Sequence, residues 1–289
     1  MEAKLLSEQK DFVFEALDFA GVRGKGVIRL LELPWSLWKA MRGASKILKR
    51  VKPSVVLGFG GFISFPAGAM ARLTGVPLIL HEQNSVAGMV NKLLAPFATK
   101  VFCTFPHVFK NGVWIGNPLR IEFLQQATPD ERFEKRQGAL KLVVVGGSLG
   151  AQFFNKVVPQ ALKLMPVECR PMVLHQSGEK QLLELTKNYE ENDVAAEKVA
   201  FIQIAAVGAA AVFVPFPHAV DDHQTANAQF LLKKNAACIF PQSELNASNL
   251  ASFLQSLTRE KLLERATLSN KLAKLNAVEQ MVATCKDIR

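Results

Sequence analysis

The feature that most constrains the fold is the stretch KLVVVGGSLG at residues 141–150. Apolar β-forming residues run directly into a pair of glycines, and an amphipathic helical pattern follows from Ala151. A strand, a glycine turn and a helix in this order bring backbone N–H groups and a helix N-terminus to one point, where an anion can bind. Glycines in such a turn can also serve close packing alone, so both interpretations stand at this point.

Strands and helices alternate through the rest of the chain, which is typical of α/β proteins with parallel sheets. We predict two Rossmann-like domains whose sheets face each other across a cleft. The first covers residues 1–120 and the second covers residues 141–265. The charged, turn-rich segment 121–140 is predicted to link them, and residues 266–289 are predicted to form a C-terminal helix that returns to the first domain.

Both domains are predicted to be incomplete. An α/β phosphate-binding domain usually opens with an apolar strand and a glycine turn, and this sequence opens with neither. In the second half, one predicted strand ends at Ile202 and the next begins at Ala211. A parallel crossover needs a dozen or more residues, so we expect part of a complete domain to be missing between these two strands.

The charge balance narrows the class of partner. The net charge of +10, from 35 basic and 25 acidic residues, indicates an anionic partner. Nucleic acid, an anionic membrane surface and phosphate-bearing substrates all fit, but no nucleic-acid-binding motif is present. The four cysteines lie far apart, so neither a zinc site nor a disulfide framework is predicted, and a reducing cytosolic setting is the simplest interpretation. No stretch has the pattern of a signal peptide or a transmembrane helix, so we expect any membrane contact to be peripheral.

Basic residues and tryptophans occur together near the N-terminus. A helix is predicted to start at Pro34, since proline is tolerated in a first turn. Its periodicity predicts an apolar set that includes Trp35 and Trp38 on one face, and a basic set that includes Lys39 and Arg42 on another. Such a helix can lie on an anionic membrane surface, or it can dock on the protein with a solvated basic face.

The sequence HEQN at residues 81–84 follows a predicted strand at residues 78–80, at the edge where α/β sheets bind ligands. His81 and Glu82 are candidates for acid–base chemistry, and Asn84 is a candidate partner for a sugar hydroxyl. The alternative is a loop whose polar side chains cap the next helix.

Three other segments also follow predicted strands. The glycine turn FGGFIS at residues 59–64 can cradle a diphosphate or can serve close packing. Arg120, at the end of GNPLR, can pair with a phosphate or can be an ordinary surface arginine. Gln224 can face a ligand, and the histidines and aspartates near it do not have the spacing of a metal site.

Two common nucleotide-binding classes do not fit. The sequence has no GxxxxGK[ST] motif, which excludes a P-loop ATPase. A dinucleotide dehydrogenase needs an acidic residue at the end of the strand after its glycine turn, to hold the ribose. That strand ends here in His175, Gln176 and Ser177, so the dehydrogenase interpretation is excluded.

Together these motifs resemble the MurG family of bacterial N-acetylglucosamine transferases, within glycosyltransferase family 28. The resemblance covers nearly the whole chain, and it is specific because several long motifs occur in the same order. They are GVRGKG (21–26), KPSVVLGFGGFISFPAG (52–68), PLILHEQNSVAGMVNK (77–92), GNPLR (116–120), VVVGGSLGAQFFN (143–155), HQSG (175–178) and FVPFPHAVDDHQTANA (213–228).

The resemblance implies a GT-B fold and an inverting transfer of N-acetylglucosamine from UDP-N-acetylglucosamine (UDP-GlcNAc) to lipid I, the undecaprenyl-diphosphate-linked N-acetylmuramyl pentapeptide. The C4 hydroxyl of N-acetylmuramic acid would be the acceptor, and lipid II for peptidoglycan synthesis would be the product. The first domain would bind lipid I and the second would bind UDP-GlcNAc. The resemblance implies no cofactor, no essential metal and no nucleic acid. It implies peripheral attachment to the anionic cytoplasmic face of the inner membrane, with other cell-wall synthesis proteins as further partners.

The resemblance also assigns roles to individual residues. Asn84 and Gln224 would contact the donor sugar, Arg120 the nucleotide, Ser148 the diphosphate and Ile202 the uracil. The residues implied for the acceptor diphosphate are Gly60, Gly61 and Ser64. Those implied for the membrane are Trp35, Trp38, Lys39 and Arg42.

The chain departs from the family in two places. It begins downstream of the family's glycine-rich loop, whose histidine is a candidate general base. It also lacks a family segment between Gln203 and Ile204, which contacts the donor and supplies a glutamate implicated in catalysis. The catalytic residues are therefore unassigned, with His81 and Glu82 as the remaining acid–base candidates. We expect poor transfer or none by this chain, and the alternative to an enzyme is an inactive truncated or mispredicted product that keeps part of the donor-binding and membrane surfaces.

Overall fold

The computed structural model describes residues 13–17, 19, 26–146, 151–177, 181–194, 209–216 and 223–288, and for residues 26–32 and 151 it describes the backbone alone. The chain divides into two compact units. The first unit comprises residues 1–117 and 276–289, and the second comprises residues 118–275.

The first unit is built on a parallel sheet of four strands in the order β1-β2-β3-β4. The strands are β1 (Val56–Gly58), β2 (Leu78–Glu82), β3 (Lys100–Cys103) and β4 (Val113–Trp114). The helices are α1 (Gly26–Val51), α2 (Ser64–Leu73), α3 (Met89–Leu94) and, at the C-terminus, α11 (Ala277–Asp287), with a 3₁₀ turn at Ala95–Phe97.

Strand β2 is an inner strand of this sheet, and all of its residues are buried. Its first three residues, Leu78, Ile79 and Leu80, form a continuous apolar run, which is typical of a parallel strand covered on both faces. Its side chains alternate between those faces. Leu78 and Leu80 pack with Leu94 of α3, whereas Ile79 lies in a second cluster with Met281 of α11. The C-terminal helix therefore completes the core of the first unit.

Helix α1 begins earlier than predicted, at Gly26, so that Pro34 lies inside the helix instead of opening it. An internal proline removes one backbone hydrogen bond and costs about 3 kcal/mol in an isolated helix. Tertiary packing offsets this cost, because Ala40 and Ala44 are buried where α1 meets α2.

Within its described residues, the second unit has two parallel sheets of two strands each, β5-β6 and β7-β8. The strands are β5 (Lys141–Val145), β6 (Met172–Gln176), β7 (Ala211–Phe213) and β8 (Ala237–Ile239). The helices are α4 (Ile121–Leu124), α5 (Pro129–Glu134), α6 (Ala151–Lys163), α7 (Leu182–Glu190), α8 (His223–Leu232), α9 (Ala247–Gln255) and α10 (Arg259–Leu272), with a 3₁₀ turn at Val167–Cys169. The strand and the helix predicted on either side of the glycine turn in KLVVVGGSLG are thus present as β5 and α6.

The segment 121–140, predicted as a linker, contains α4 and α5 and groups with the second unit. Helix α5 is fixed by a capping box, in which Thr128 accepts a hydrogen bond from the backbone N–H of Glu131 while the Glu131 carboxylate accepts one from the backbone of Thr128. A Thr-x-x-Glu pattern before a helical stretch is a known start signal, which explains why this charged segment is structured.

The C-terminal residues 266–289 were predicted as one helix, and they belong to two. Helix α10 ends at Leu272, and the second unit extends to Leu275 before α11 begins in the first unit. The predicted strand that ends at Ile202 and the predicted gap between Gln203 and Ile204 lie outside the described residues.

Candidate functional site

The acidic and imidazole side chains of the HEQN motif lie inside strand β2 and not in the loop after it. The strand continues two residues beyond the predicted end at Leu80, because His81 and Glu82 pair in register with Phe102 and Cys103 of β3. The side chains of His81 and Glu82 are 1% and 2% exposed. The sequence analysis expected both in a loop, where they would be free for acid–base chemistry, and the continued pairing is the physical reason that they are not.

Glu82 accepts four hydrogen bonds from the segment that follows it. Its Oε1 lies 2.9 Å from the backbone N and 3.3 Å from the Nδ2 of Asn84. Its Oε2 lies 3.0 Å from the backbone N of Gly88 and 2.8 Å from the Nδ2 of Asn91. The carboxylate therefore ties strand β2 to the loop that carries Asn84 and to the start of α3.

His81 fixes a different turn. Its Nε2 donates to the carbonyl oxygen of Gly116 at 3.0 Å, so the proton is assigned to Nε2 in the neutral ring. Burial is the largest influence and lowers the pKa of His81 below its usual value of 6.5, although the bond to Gly116 opposes this shift. A neutral donor at this position holds the turn at the end of β4, next to Asn117.

The glycine turn after β1 has the backbone geometry that only glycine adopts easily. Gly60 and Gly61 have φ angles of 80° and 73°. Ser64, in the first turn of α2, donates its hydroxyl to the carbonyl oxygens of both glycines, at 2.8 Å each. A Cβ on Gly60 would lie 3.2 Å from Nδ2 of Asn91, so this turn packs directly on the side chain that also holds Glu82.

The remaining predicted substrate residues fall in different settings. Arg120 is exposed at the N-cap position of α4, in extended backbone. Gln224 lies in the first turn of α8, and its Oε1 accepts a hydrogen bond from the backbone N of Phe216 at 3.0 Å. Ser148 and Ile202 lie outside the described residues.

A buried asparagine in α6, which the sequence motifs did not single out as a site residue, ties this helix to the end of β6 and the start of α7. The side chain of Asn155 is 0% exposed, and its Nδ2 donates to the carbonyl oxygen of Ser177 at 3.3 Å and to Oε1 of Gln181 at 3.0 Å. The backbone carbonyl oxygen of Asn155 accepts a hydrogen bond from Nδ2 of Asn188 at 3.0 Å. One signal was available, since Asn155 occupies the same helical stripe as buried Val158.

The tryptophans and basic residues of α1 share one exposed face, which corrects the prediction of two different faces. Trp35 is 68% exposed and Trp38 is 50% exposed, with their rings stacked at 5.0 Å between centroids. The guanidinium of Arg42 lies 5.5 Å from the centre of the Trp38 ring. Lys39 is exposed as well. Positions three and four residues apart fall on one side of a helix, which puts these four side chains together.

The described part of the chain contains no helix that is long and apolar enough to cross a membrane. It also contains no group of three or more histidine, cysteine, aspartate or glutamate side chains arranged to hold a metal ion.

Comparison with known protein families shows which family the chain belongs to. The family model for the glycosyltransferase family 28 N-terminal domain matches residues 1–103. The model for the C-terminal domain of the same family matches in two pieces, residues 141–206 and 198–282. The chain belongs to glycosyltransferase family 28. The two C-terminal pieces meet in the segment where the sequence analysis expects a missing crossover.

Curated relatives match over the whole chain. A protein of Albidiferax ferrireducens is 50% identical over 311 aligned residues, which cover 100% of this chain and 80% of the relative. A protein of Paracidovorax citrulli is 48% identical over 100% of this chain and 87% of the relative. Both are named UDP-N-acetylglucosamine–N-acetylmuramyl-(pentapeptide) pyrophosphoryl-undecaprenol N-acetylglucosamine transferase.

Solved structures agree with this placement. The crystal structure of Acinetobacter baumannii MurG is similar, with a TM-score of 0.84, 34% sequence identity, and coverage of 99% of this chain and 88% of that chain. A UDP-GlcNAc 2-epimerase from Neisseria meningitidis has a TM-score of 0.62 at 11% identity, covers 99% of this chain and 88% of the epimerase, and so shares the fold alone. The chain therefore has the α/β GT-B fold that the motifs implied.

Proposed function

We propose that this chain transfers N-acetylglucosamine from UDP-GlcNAc to lipid I and so forms lipid II for peptidoglycan synthesis. The observation that carries the proposal is the 50% identity, over the whole chain, to a relative whose name states that transfer. The TM-score of 0.84 to the Acinetobacter baumannii MurG structure supports it. The basic excess of the chain suits a donor and an acceptor that both contain diphosphate.

The donor would bind mainly at the glycine turn between β5 and α6. Backbone N–H groups and a helix N-terminus favour a diphosphate there, with the hydroxyl of Ser148 as a further donor. Arg120 would pair with the nucleotide phosphates and Ile202 would lie beside the uracil. Asn84 and Gln224 would bond the hydroxyl groups of the sugar.

The acceptor would bind at the turn after β1. The positive φ angles of Gly60 and Gly61 turn the chain sharply with no side chain that would exclude an anion, and the bonds from Ser64 keep that backbone in place. An inverting transfer needs a base that removes a proton from the attacking hydroxyl. His81 and Glu82 are buried and committed to loop contacts, so we assign neither as that base.

The exposed face of α1 would attach the protein to the cytoplasmic face of the inner membrane, where the lipid-linked acceptor lies. Tryptophan rings sit well at the headgroup level, and lysine and arginine side chains are attracted to anionic lipids. Trp35, Trp38, Lys39 and Arg42 provide both kinds of contact on one helix face.

The test is a transfer assay with UDP-GlcNAc labelled in the sugar, and with lipid I in anionic vesicles. We expect labelled lipid that depends on lipid I, at a lower rate than Acinetobacter baumannii MurG assayed in parallel, because the sequence analysis expects an absent donor-site segment. Absence of labelled lipid, with a positive parallel reaction, would contradict the proposal. Calorimetric titration with UDP-GlcNAc separates a failure of transfer from a failure of donor binding.

A further inference from the structure

We propose that Glu82 is a positioning residue, whose buried carboxylate holds the loop from Asn84 to Gly88 in the conformation that presents Asn84 to the donor sugar. The inference rests on the proposed function, since that function assigns Asn84 to the sugar. Glu82 acts through Asn84 and contacts no substrate itself.

The geometry at Glu82 requires a group that only accepts hydrogen bonds. Each carboxylate oxygen accepts two hydrogen bonds. Oε1 accepts from the backbone N–H and the side-chain Nδ2 of Asn84. Oε2 accepts from the backbone N–H of Gly88 and from Nδ2 of Asn91. Bonds to an ionised acceptor are stronger than neutral ones. The carboxylate therefore sets both the backbone position and the side-chain direction of Asn84.

The carboxylate is itself held from the opposite side by Asn91. This residue of α3 is 1% exposed, and its Nδ2 also donates to the carbonyl oxygen of His81 at 3.2 Å. A Cβ built on Gly60 would come within 3.2 Å of the same amide, so the glycine turn lies directly beside Asn91. The loop that carries Asn84 is thus tied to a rigid part of the first unit.

Replacement of Glu82 by glutamine keeps the size and shape of the side chain but not the pattern of acceptors. An amide has one acceptor oxygen and one NH₂ donor. Whichever end carries the NH₂ faces two other donors, so Glu82→Gln can keep at most two of the four bonds. The loop loses its fixed position while the buried volume stays the same.

The experiment measures the affinities of UDP-GlcNAc and UDP by calorimetry for Glu82→Gln, Asn84→Ala and the double variant. We expect each single variant to lose about tenfold in affinity for UDP-GlcNAc, which is the worth of about one hydrogen bond, and to keep its affinity for UDP. We expect the double variant to be no weaker than Asn84→Ala. The matched control is Glu279→Gln, which removes an exposed carboxylate from the same unit and should bind both ligands as the parent chain does.

Three results overturn the proposal. One is parent-like binding of UDP-GlcNAc by Glu82→Gln, together with a loss in Asn84→Ala, which leaves the proposed function intact. Another is a loss in the double variant equal to the product of the two single losses, because Glu82 would then act independently of Asn84. The third is parent-like binding by Asn84→Ala, which removes the sugar contact from the proposed function as well.

A second pair of variants tests the same idea without changing Glu82, in case Glu82→Gln does not fold. Gly88 has φ −66°, which both alanine and proline adopt, and a Cβ there would lie at an ordinary 3.7 Å from Oε2 of Glu82. Gly88→Pro removes the N–H that donates to Glu82 and puts the ring Cδ in its place, so that Oε2 must also move away, whereas Gly88→Ala keeps the N–H. We expect a several-fold loss of affinity for UDP-GlcNAc relative to UDP in the proline variant only, and equal binding by the two variants contradicts the proposal.

Discussion

Nδ1 of His175 lies 2.9 Å from the phenolic oxygen of Tyr189, with the two rings perpendicular at 87°. Both side chains are buried in the main core of the second unit, and Nε2 of His175 is buried without a hydrogen-bond partner. This desolvation lowers the pKa of His175 from 6.5 to about 4 and raises that of Tyr189. The histidine is therefore neutral in the folded protein across the physiological range.

The first prediction concerns acid stability. Because the folded pKa of His175 is lower than its unfolded value, its contribution to stability is complete above pH 6.5 and is lost as the pH falls toward 4. The full loss is about 3 kcal/mol. Urea unfolding between pH 7 and pH 4 should show this dependence in the parent chain and a shallower one in His175→Gln.

Tyr189→Phe provides the control for that experiment. It removes the phenolic oxygen but leaves His175 buried, so we expect about 1 kcal/mol lower stability with the pH dependence retained. An equally steep dependence in His175→Gln would show that other groups cause it.

The second prediction concerns the glycine turn after β1. Gly60→Ala and Gly61→Ala both force a side chain into positive φ, which costs about 1 kcal/mol. Only Gly60→Ala also presses on Asn91, at 3.2 Å, whereas a Cβ at Gly61 meets nothing within 4 Å. We expect a greater loss of stability and a higher KM for lipid I in Gly60→Ala, measured by thermal unfolding and the transfer assay. Equal effects would mean that Asn91 yields to the added methyl group.

The third prediction concerns the exposed face of α1. Reversal of charge in Arg42→Glu should weaken binding to vesicles that contain anionic lipid by about tenfold or more, since each basic side chain near such a surface contributes about 1 kcal/mol. Lys110→Glu makes the same change of net charge at another exposed site of the first unit. Sedimentation with vesicles should separate the two variants, and an equal loss would indicate that only the net charge matters.

The fourth prediction concerns Asn155. Asn155→Ala leaves the carbonyl oxygen of Ser177 and Oε1 of Gln181 without this donor, so we expect a loss of about 1–3 kcal/mol in the free energy of unfolding. UDP binding should weaken as well, because α6 and the turn after β6 are no longer tied together. The exposed Gln152→Ala on the same helix is the control, and it should change neither urea unfolding nor the affinity for UDP.

Local pattern determined much of the architecture. Strand β5 covers the predicted apolar run before the glycine turn, and the helical pattern predicted from Ala151 is present as α6. These elements follow from residue types and spacings that act over a few neighbours, namely alternating or continuous apolar runs, glycines and caps. The order of the long motifs likewise indicates the family, which the two family models confirm.

Contacts between residues distant in the sequence determined the features of the fold that local sequence patterns did not predict. His81 and Glu82 look like loop residues after an apolar strand, but the neighbouring β3 extends the pairing and buries them. Nothing near them in the chain indicates this, because the pairing partners lie about twenty residues away. The prediction that Trp35 and Trp38 lie on a different face from Arg42 was wrong for a related reason, since hydrophobicity alone does not show which face of a helix meets its neighbour α2.

The sequence by itself determined the α/β class, the family and the glycine turns, because these depend on the order and type of residues. Only the tertiary structure decided that Glu82 is a buried acceptor for four donors, with Asn91 among them. The same holds for buried Asn155, which ties α6 to Ser177 and Gln181. A buried hydrogen-bond network is a property of three-dimensional packing, in which the partners of one polar group come from several elements. The members of such a network can therefore be identified only from the folded structure, in which those elements lie next to one another.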